Sequence, residues 1–412
     1  MNKVVLTRLS PPGGRWISVL GLIRICLMIA VIPTLVSCSK GIPIDPTENI
    51  DVNLEQLENL KKTSFGVSAD EGESIFGSSE KKPRDDLFFV STISGGGYRA
   101  ANFGLGHLLA LDSIMLDEST TLLDEMDYLS TVSGGGLAGA LYLVTMVEHL
   151  KCHPMESADS IKDFIFLLKD KPHRVDMLRK SWAMGFVRNI LDPRVVTPTV
   201  SRSDLFHDDY YRDLIAINDC DNDEVENEGK ESSGQAHAEH DGMLTIGEVE
   251  SFASRGLPVH VPNSTISTSG HVLPFVSDAL TNLGINCYID SRGWKYVSKA
   301  KDLPYSLGLM ASATFPPFWN DMRLARWDDS KEGGECDPKR FFHLTDGGQS
   351  DDNGYITALG ILNEVIGKKP QSAPSLLLVV DALNRADRLE VDQEAPAGFG
   401  HVALVRNTDL PR

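Results

Sequence analysis

Two stretches of the chain repeat one pattern. Thr92–Gly97 reads TISGGG and Thr131–Gly136 reads TVSGGG, so a serine precedes a glycine triplet twice, 39 positions apart. A serine hydroxyl is a poor nucleophile unless a base takes its proton and donors stabilise the oxyanion that follows. A tight strand-to-helix turn serves both needs, because it lifts the side chain above a sheet and leaves helix N-terminal amides unpaired. Ser133 suits that place. Thr131-Val132-Ser133-Gly134-Gly135 is a variant of GxSxG with Thr in the first glycine's position, and Gly136, Ala138, Gly139 and Ala140 keep the following helix slim. The first turn suits another task. Gly95, Gly96 and Gly97 leave backbone amides unshielded, and Arg99 adds a fixed positive charge, a combination that holds an anion. Ser94 is read as structural, its hydroxyl satisfied by backbone. Taken alone, Gly95-x-Gly97-x-x-Ala100 also matches the dinucleotide fingerprint, so neither turn is specific by itself.

A base must come from elsewhere in the chain. "HLTDGGQSDDNGY" places Asp346 at the end of a strand, ahead of Gly347 and Gly348, which let other groups approach its carboxylate. Asp351, Asp352 and Asp381 compete without that setting. An aspartate ordinarily titrates near 3.9, so it serves as a base only where burial raises it. The pairing therefore requires a dry cleft.

These residues need particular elements to position them. Leu87–Ile93 is a short apolar run suited to a buried strand, and Ala101, Leu105, Leu108 and Leu109 recur at helical spacing after the glycines. "MDYLSTVS" reads as a second strand, followed by Leu137, Leu141, Val144 and Val147 on a second helix. Strand, glycine turn, helix, repeated, predicts a parallel α/β sheet. Leu257–Val261, Val272–Val276, Phe341–Leu344 and Leu376–Val380 are further strand candidates; Ile161–Leu168 and Tyr355–Val365 are further helices.

Taken in order, SGGGYRA, TVSGGG, "PNSTISTSGHVLPF", "SATFPPFW" and DGGxxxxN resemble the patatin-like phospholipases and the related cytosolic phospholipase A2 catalytic domain. The likeness runs from about Leu87 to Asn384. It implies a three-layer α/β/α fold around a central, mostly parallel sheet. It also implies a Ser133–Asp346 dyad without a catalytic histidine, oxyanion donors from Gly95, Gly96 and Gly97, and Arg99 near the substrate phosphate. The activity implied is hydrolysis of fatty-acyl esters in phospholipids or lysophospholipids at a membrane surface, with acyl transfer left open. Two departures stand out: Thr131 replaces the usual glycine, and five residues separate the DGG of Asp346 from Gly354, displacing Asn353.

Residues 1–37 read as an export signal. Lys3, Arg8, Arg15 and Arg24 carry its only charges, Ile25–Val36 is nearly all apolar, and Leu-Val-Ser precedes Cys38. That ending resembles a bacterial lipobox and implies acylation of Cys38, with export to the cell envelope and the outer membrane favoured by Ser39. Residues 38–83 then form a polar tether, and 84–412 the catalytic domain with an acidic insertion at 218–242. The whole chain carries a net −19; without residues 1–37 it has 35 basic against 58 acidic side chains, or −23. Such a surface repels phosphate backbones, which argues against nucleic acid as a partner. The insertion lacks Gly and Glu at the positions an EF-hand loop requires, having Glu224 and Lys230 there. With scattered cysteines as well, no metal and no cofactor are expected. Export permits disulfides among Cys152, Cys220, Cys287 and Cys336 without assigning them, and the oligomeric state is not legible. Three rival readings stay open: a Ser133–Asp346–His401 triad, a lipid-binding protein without catalysis, and a nucleotide-binding protein.

Overall fold

The computed structural model describes residues 87–118, 120–158, 164–169, 171, 174–175, 201–207, 211–217, 243–290, 293–316, 319–328, 335–368, 375–382 and 402–406. The stretches read as a signal and a tether, Cys38, the acidic stretch 218–242 and His401 lie outside the described residues. No helix among the described residues is long and apolar enough to cross a membrane.

The run from Leu87 forms β1 (Phe88–Ile93), buried at every position. Its side chains alternate between two cores: Phe89 and Ile93 join one, Phe88 and Val90 the other. A strand covered on both faces reads as a continuous apolar run, which is why no polar alternation marks it in the sequence. The glycine turn leads into α1 (Gly97–Ser113), then β2 (Met126–Val132) and α2 (Gly134–Cys152). The remaining strands are β3 (Val259–Ile266), β4 (His271–Pro274), β5 (Cys287–Asp290), β6 (Gly293–Tyr296), β7 (Met322–Asp328), β8 (Glu335–Asp346), β9 (Ser375–Val380) and β10 (Val402–Arg406). Two more helices matter here, α3 (Tyr305–Ser312) and α4 (Tyr355–Lys368).

One sheet runs β10-β9-β1-β2-β3-β8-β7-β5-β6, with β4 also paired to β3. Pairing is parallel between β9, β1, β2 and β3. All other pairings are antiparallel, so the predicted parallel sheet forms the centre of a mixed one. Antiparallel neighbours need only short connections, and the crossover helices α1 and α2 serve the parallel centre alone. Helices α1, α2 and α3 pack their apolar residues into the core on one face, and α4 packs on the other, giving three layers. Helix α2 is buried along almost its entire length. Even its acidic residue, Glu148, is buried, paired with the fully buried Arg174 at 2.8 Å.

Cys287 on β5 and Cys336 on β8 are joined by a disulfide, their Cα atoms 5.8 Å apart. Strand β7 lies between those two strands, and in a flat sheet next-nearest strands stand about 9–10 Å apart. The antiparallel wing is therefore strongly curled. Cys152 is also disulfide-bonded. The Cys287–Cys336 bridge closes a loop of sequence separation 49. Replacing both cysteines by serine is expected to cost about 2–4 kcal/mol of unfolding free energy, read from urea denaturation of the oxidised wild type beside the variant.

Candidate active site

Ser133 follows the last residue of β2 and opens α2 as its N-cap, with φ 49° and ψ −117°. Among the described residues it is the one non-glycine residue with positive φ. Holding a serine there costs on the order of 1–3 kcal/mol, which the surrounding packing must impose. The packing is visible in what glycine permits. A Cβ on Gly134 would lie 1.9 Å from the Gly97 carbonyl oxygen, and one on Gly135 would lie 2.5 Å from that of Ile93. The two duplicated turns therefore rest backbone on backbone, and the first residues of α2 can carry no side chain. Further along α2, Gly139 makes room for the His260 ring.

Sheet register brings the carboxyl to the hydroxyl. Val132 pairs with Asn263 on β3, and the next β3 residue, Ser264, pairs with Asp346 at the end of β8. Ser133 and Asp346 thus leave the sheet on either side of one strand. Gly347 then crosses directly over the Asn263 carbonyl, where a Cβ would come within 2.2 Å of the oxygen. The Ser133 side chain acts on the Asp346 carboxyl as a hydrogen-bonding neighbour, and among the described residues no histidine is bonded to either group. The Gly348 amide donates to Asp346 Oδ1 at 2.8 Å. Ser133 is 7 % exposed and Asp346 4 %, so the pair is shielded from water. Burial pushes the Asp346 carboxyl up to about 7, assisted by the negative charge of Asp352 and opposed by the bonds from Gly348 and Ser133. A carboxylate that is ordinarily too weak a base is thereby brought into the range where it can accept a serine proton near neutrality.

The glycine loop is narrower in its capacity than its sequence implies. Ser94 donates its amide to Val380, and Gly95 donates its own to the Asp352 carbonyl at 2.8 Å. Gly95 is thus committed to holding the loop, a correction to the expectation that all three glycines present free donors. The amides of Gly96 and Gly97 have no acceptor among the described residues, and both glycines adopt positive φ, 127° and 62°. They adjoin Ser133 through the Gly97–Gly134 contact. The Ser94 hydroxyl donates to the Gly95 carbonyl at 3.1 Å and accepts from the Ala382 amide at 2.7 Å, a wholly structural engagement. Arg99 lies exposed on the first turn of α1.

The competing aspartates have other employment. Asp351 caps α4, accepting from the amides of Tyr355, Ile356 and Thr357 at 3.0, 2.8 and 3.4 Å. Asp352 ties the glycine loop through its carbonyl, and its own carboxyl is raised by burial and by the charge of Asp381. Two supporting residues were passed over in the sequence. The Ser312 hydroxyl accepts the Ser133 amide at 2.8 Å, and Thr314 accepts the Asp346 amide at 3.1 Å; both lie in the SATFPPFW stretch. Asn263, from the PNSTIS stretch, donates to Ser130 and to the Thr131 carbonyl and accepts from Thr357 at 2.5 Å, binding β2, β3 and α4 beneath the site.

Thr131, where a glycine is usual, has a specific partner. Its hydroxyl bonds His260 Nε2 at 2.7 Å, and His260 Nδ1 bonds the Tyr305 hydroxyl. Burial pulls the His260 imidazole down to about 3, so it stays neutral and acts as a fixed relay of hydrogen bonds. No group of three or more histidine, cysteine or carboxylate donors among the described residues converges on the site; the one that converges anywhere lies at the far end of α2. No protein-family model matches the chain, and no curated protein matches it.

Valine at position 131 keeps the shape of threonine and removes the hydroxyl, leaving the buried His260 Nε2 without its partner. Thr131→Val is expected to lose about 1–3 kcal/mol of stability, measured by urea unfolding.

Proposed function

We propose that this chain is a serine-dependent acyl-ester hydrolase acting on lipids, with Ser133 as nucleophile and Asp346 as its general base. The observation that carries the reading is the Ser133 side chain set against a buried carboxyl raised to about 7, at a strained strand-to-helix turn. Asp346 takes the serine proton as Oγ attacks the ester carbonyl. The free amides of Gly96 and Gly97 are offered to the oxyanion, and collapse of the tetrahedral species expels the alcohol, which takes the proton back from Asp346. Water, deprotonated by the same carboxylate, then releases the fatty acid. The ordered set of motifs that resembles patatin-like phospholipases favours phospholipid or lysophospholipid as substrate, with Arg99 available to a phosphate. The basic and apolar leader ending at Cys38 supports an exported, lipid-anchored protein, and the Cys287–Cys336 disulfide is consistent with an oxidising compartment.

Turnover of a phospholipid panel tests the reading. Ser133→Ala is expected to lower kcat by about four orders of magnitude or more, and Asp346→Asn by about 10²–10⁴. A fluorophosphonate probe should label Ser133 in the wild type; a folded sample that resists labelling and turns over no ester would remove the hydrolase reading. His401→Ala should leave activity intact, whereas its loss would indicate a triad.

The raised carboxyl also sets a pH dependence. Only ionised Asp346 can act as base, so kcat/KM should rise with pH and level off above about 7. Stability runs the other way. A carboxyl protonated more readily in the folded chain stabilises the fold at low pH, and that contribution is lost as pH climbs from about 4 through about 7. Asp346→Asn should accordingly gain stability relative to wild type as pH is raised over that window, measured by thermal unfolding.

A further inference from the structure

Away from the serine site, the C-terminal end of α2 carries a cluster that the proposed chemistry does not use. His149 and His153 stand one helical turn apart, at i and i+4, with their rings stacked at 4.1 Å between centroids. His149 Nε2 lies 3.0 Å from Glu156 Oε2. One donor atom from each of the three residues falls within 4.8 Å of the others. Two donors bound to one zinc ion at about 2.0–2.1 Å in tetrahedral geometry sit roughly 3.3 Å apart. The His149–Glu156 spacing therefore already fits an edge of that tetrahedron, and small side-chain rotations bring His153 to the third corner.

The surroundings are built in the manner of a metal site. His153 Nδ1 contacts the His149 carbonyl at 2.9 Å, which requires that nitrogen to carry the hydrogen and leaves the Nε2 lone pair open. Metal-binding imidazoles are usually oriented by such a bond to a carbonyl or carboxylate. The loop after the helix is pinned by Arg255, whose guanidinium donates to the carbonyls of Leu150 and His153 at 3.0 and 2.9 Å and also to that of Glu156. Cys152, between the two histidines, is itself disulfide-bonded, which removes its thiol as a competing ligand.

We propose that His149, His153 and Glu156 form a binding site for a divalent transition ion of the zinc class, with water completing the coordination. Two imidazole nitrogens and one carboxylate oxygen suit zinc and exclude the all-oxygen environments of calcium and magnesium. The ion takes the place of the hydrogen between His149 and Glu156, that proton moving to His149 Nδ1 or to solvent. Along α2 the cluster stands about 24 Å from Ser133, so the ion is no part of ester hydrolysis. It clamps the end of the buried helix to the following loop, a site unforeseen from the sequence because its three ligands read there as ordinary helix and loop residues.

The test is titration of the full chain with Zn²⁺ against a chromophoric chelator. The background is His237→Ala/His240→Ala, which eliminates the other closely spaced histidine pair in the sequence. One Zn²⁺ per chain is expected, with His153→Ala and Glu156→Gln each weakening binding by about tenfold or more and His149→Ala/His153→Ala abolishing it. Zn²⁺ should also raise Tm in the background protein and not in the double variant. His153 and Glu156 are exposed, so their variants should fold, checked by unchanged Tm without metal. Zinc affinity unaltered by His153→Ala and Glu156→Gln, or no binding above that of the double variant, would overturn the site. Fluorophosphonate labelling of Ser133 should be the same in all of these proteins, which separates this inference from the catalytic one.

Discussion

Everything around Ser133 depends on main chain lying directly against main chain. A hydroxyl and a carboxyl from distant parts of the sequence meet only because Gly134 rests on the Gly97 carbonyl and Gly347 rests on that of Asn263. Any side chain at either glycine would push the Ser133 turn or Asp346 outward by more than a hydrogen bond tolerates. The same closeness forces Ser133 into its left-handed backbone conformation and excludes water from Asp346. Strain, desolvation and the raised carboxyl are three results of one packing decision.

Much of this was legible in the sequence because glycine and serine placement is local chemistry. The duplicated turn and the strands at Leu87–Ile93 and Met126–Val132 follow from residue type and spacing. Asp351 could be set aside for lacking paired glycines, and its actual work, capping α4, agrees with that. What escaped was tertiary. Nothing in the run of glycines says that Gly95 gives its amide to Asp352, since that bond crosses from β1 to the loop after β8. The antiparallel wing escaped likewise, because a short strand carries no mark of the direction in which its neighbour runs.

Thr131 illustrates how a residue that departs from a motif can be tied into the core. The missing glycine is answered by a neutral, buried imidazole and a tyrosine hydroxyl, forming a chain of polar groups from β2 through β3 to α3. Such chains specify a core when every member is satisfied and weaken it when one is lost. The three residues are separated widely in sequence, so only the folded register reveals that they belong together.

The segment Asp346–Asp352 gathers several duties into a few residues. It presents the carboxyl, crosses β3, anchors the glycine loop through the Asp352 carbonyl and caps α4 through Asp351. Those bonds tie the glycine loop, β3, β8 and α4 to one short segment. The rings of Tyr98, beside the glycine turn, and Phe315, beside Thr314, are exposed. One altered residue in the Asp346–Asp352 segment would therefore disturb the loop, the strand and the helix together.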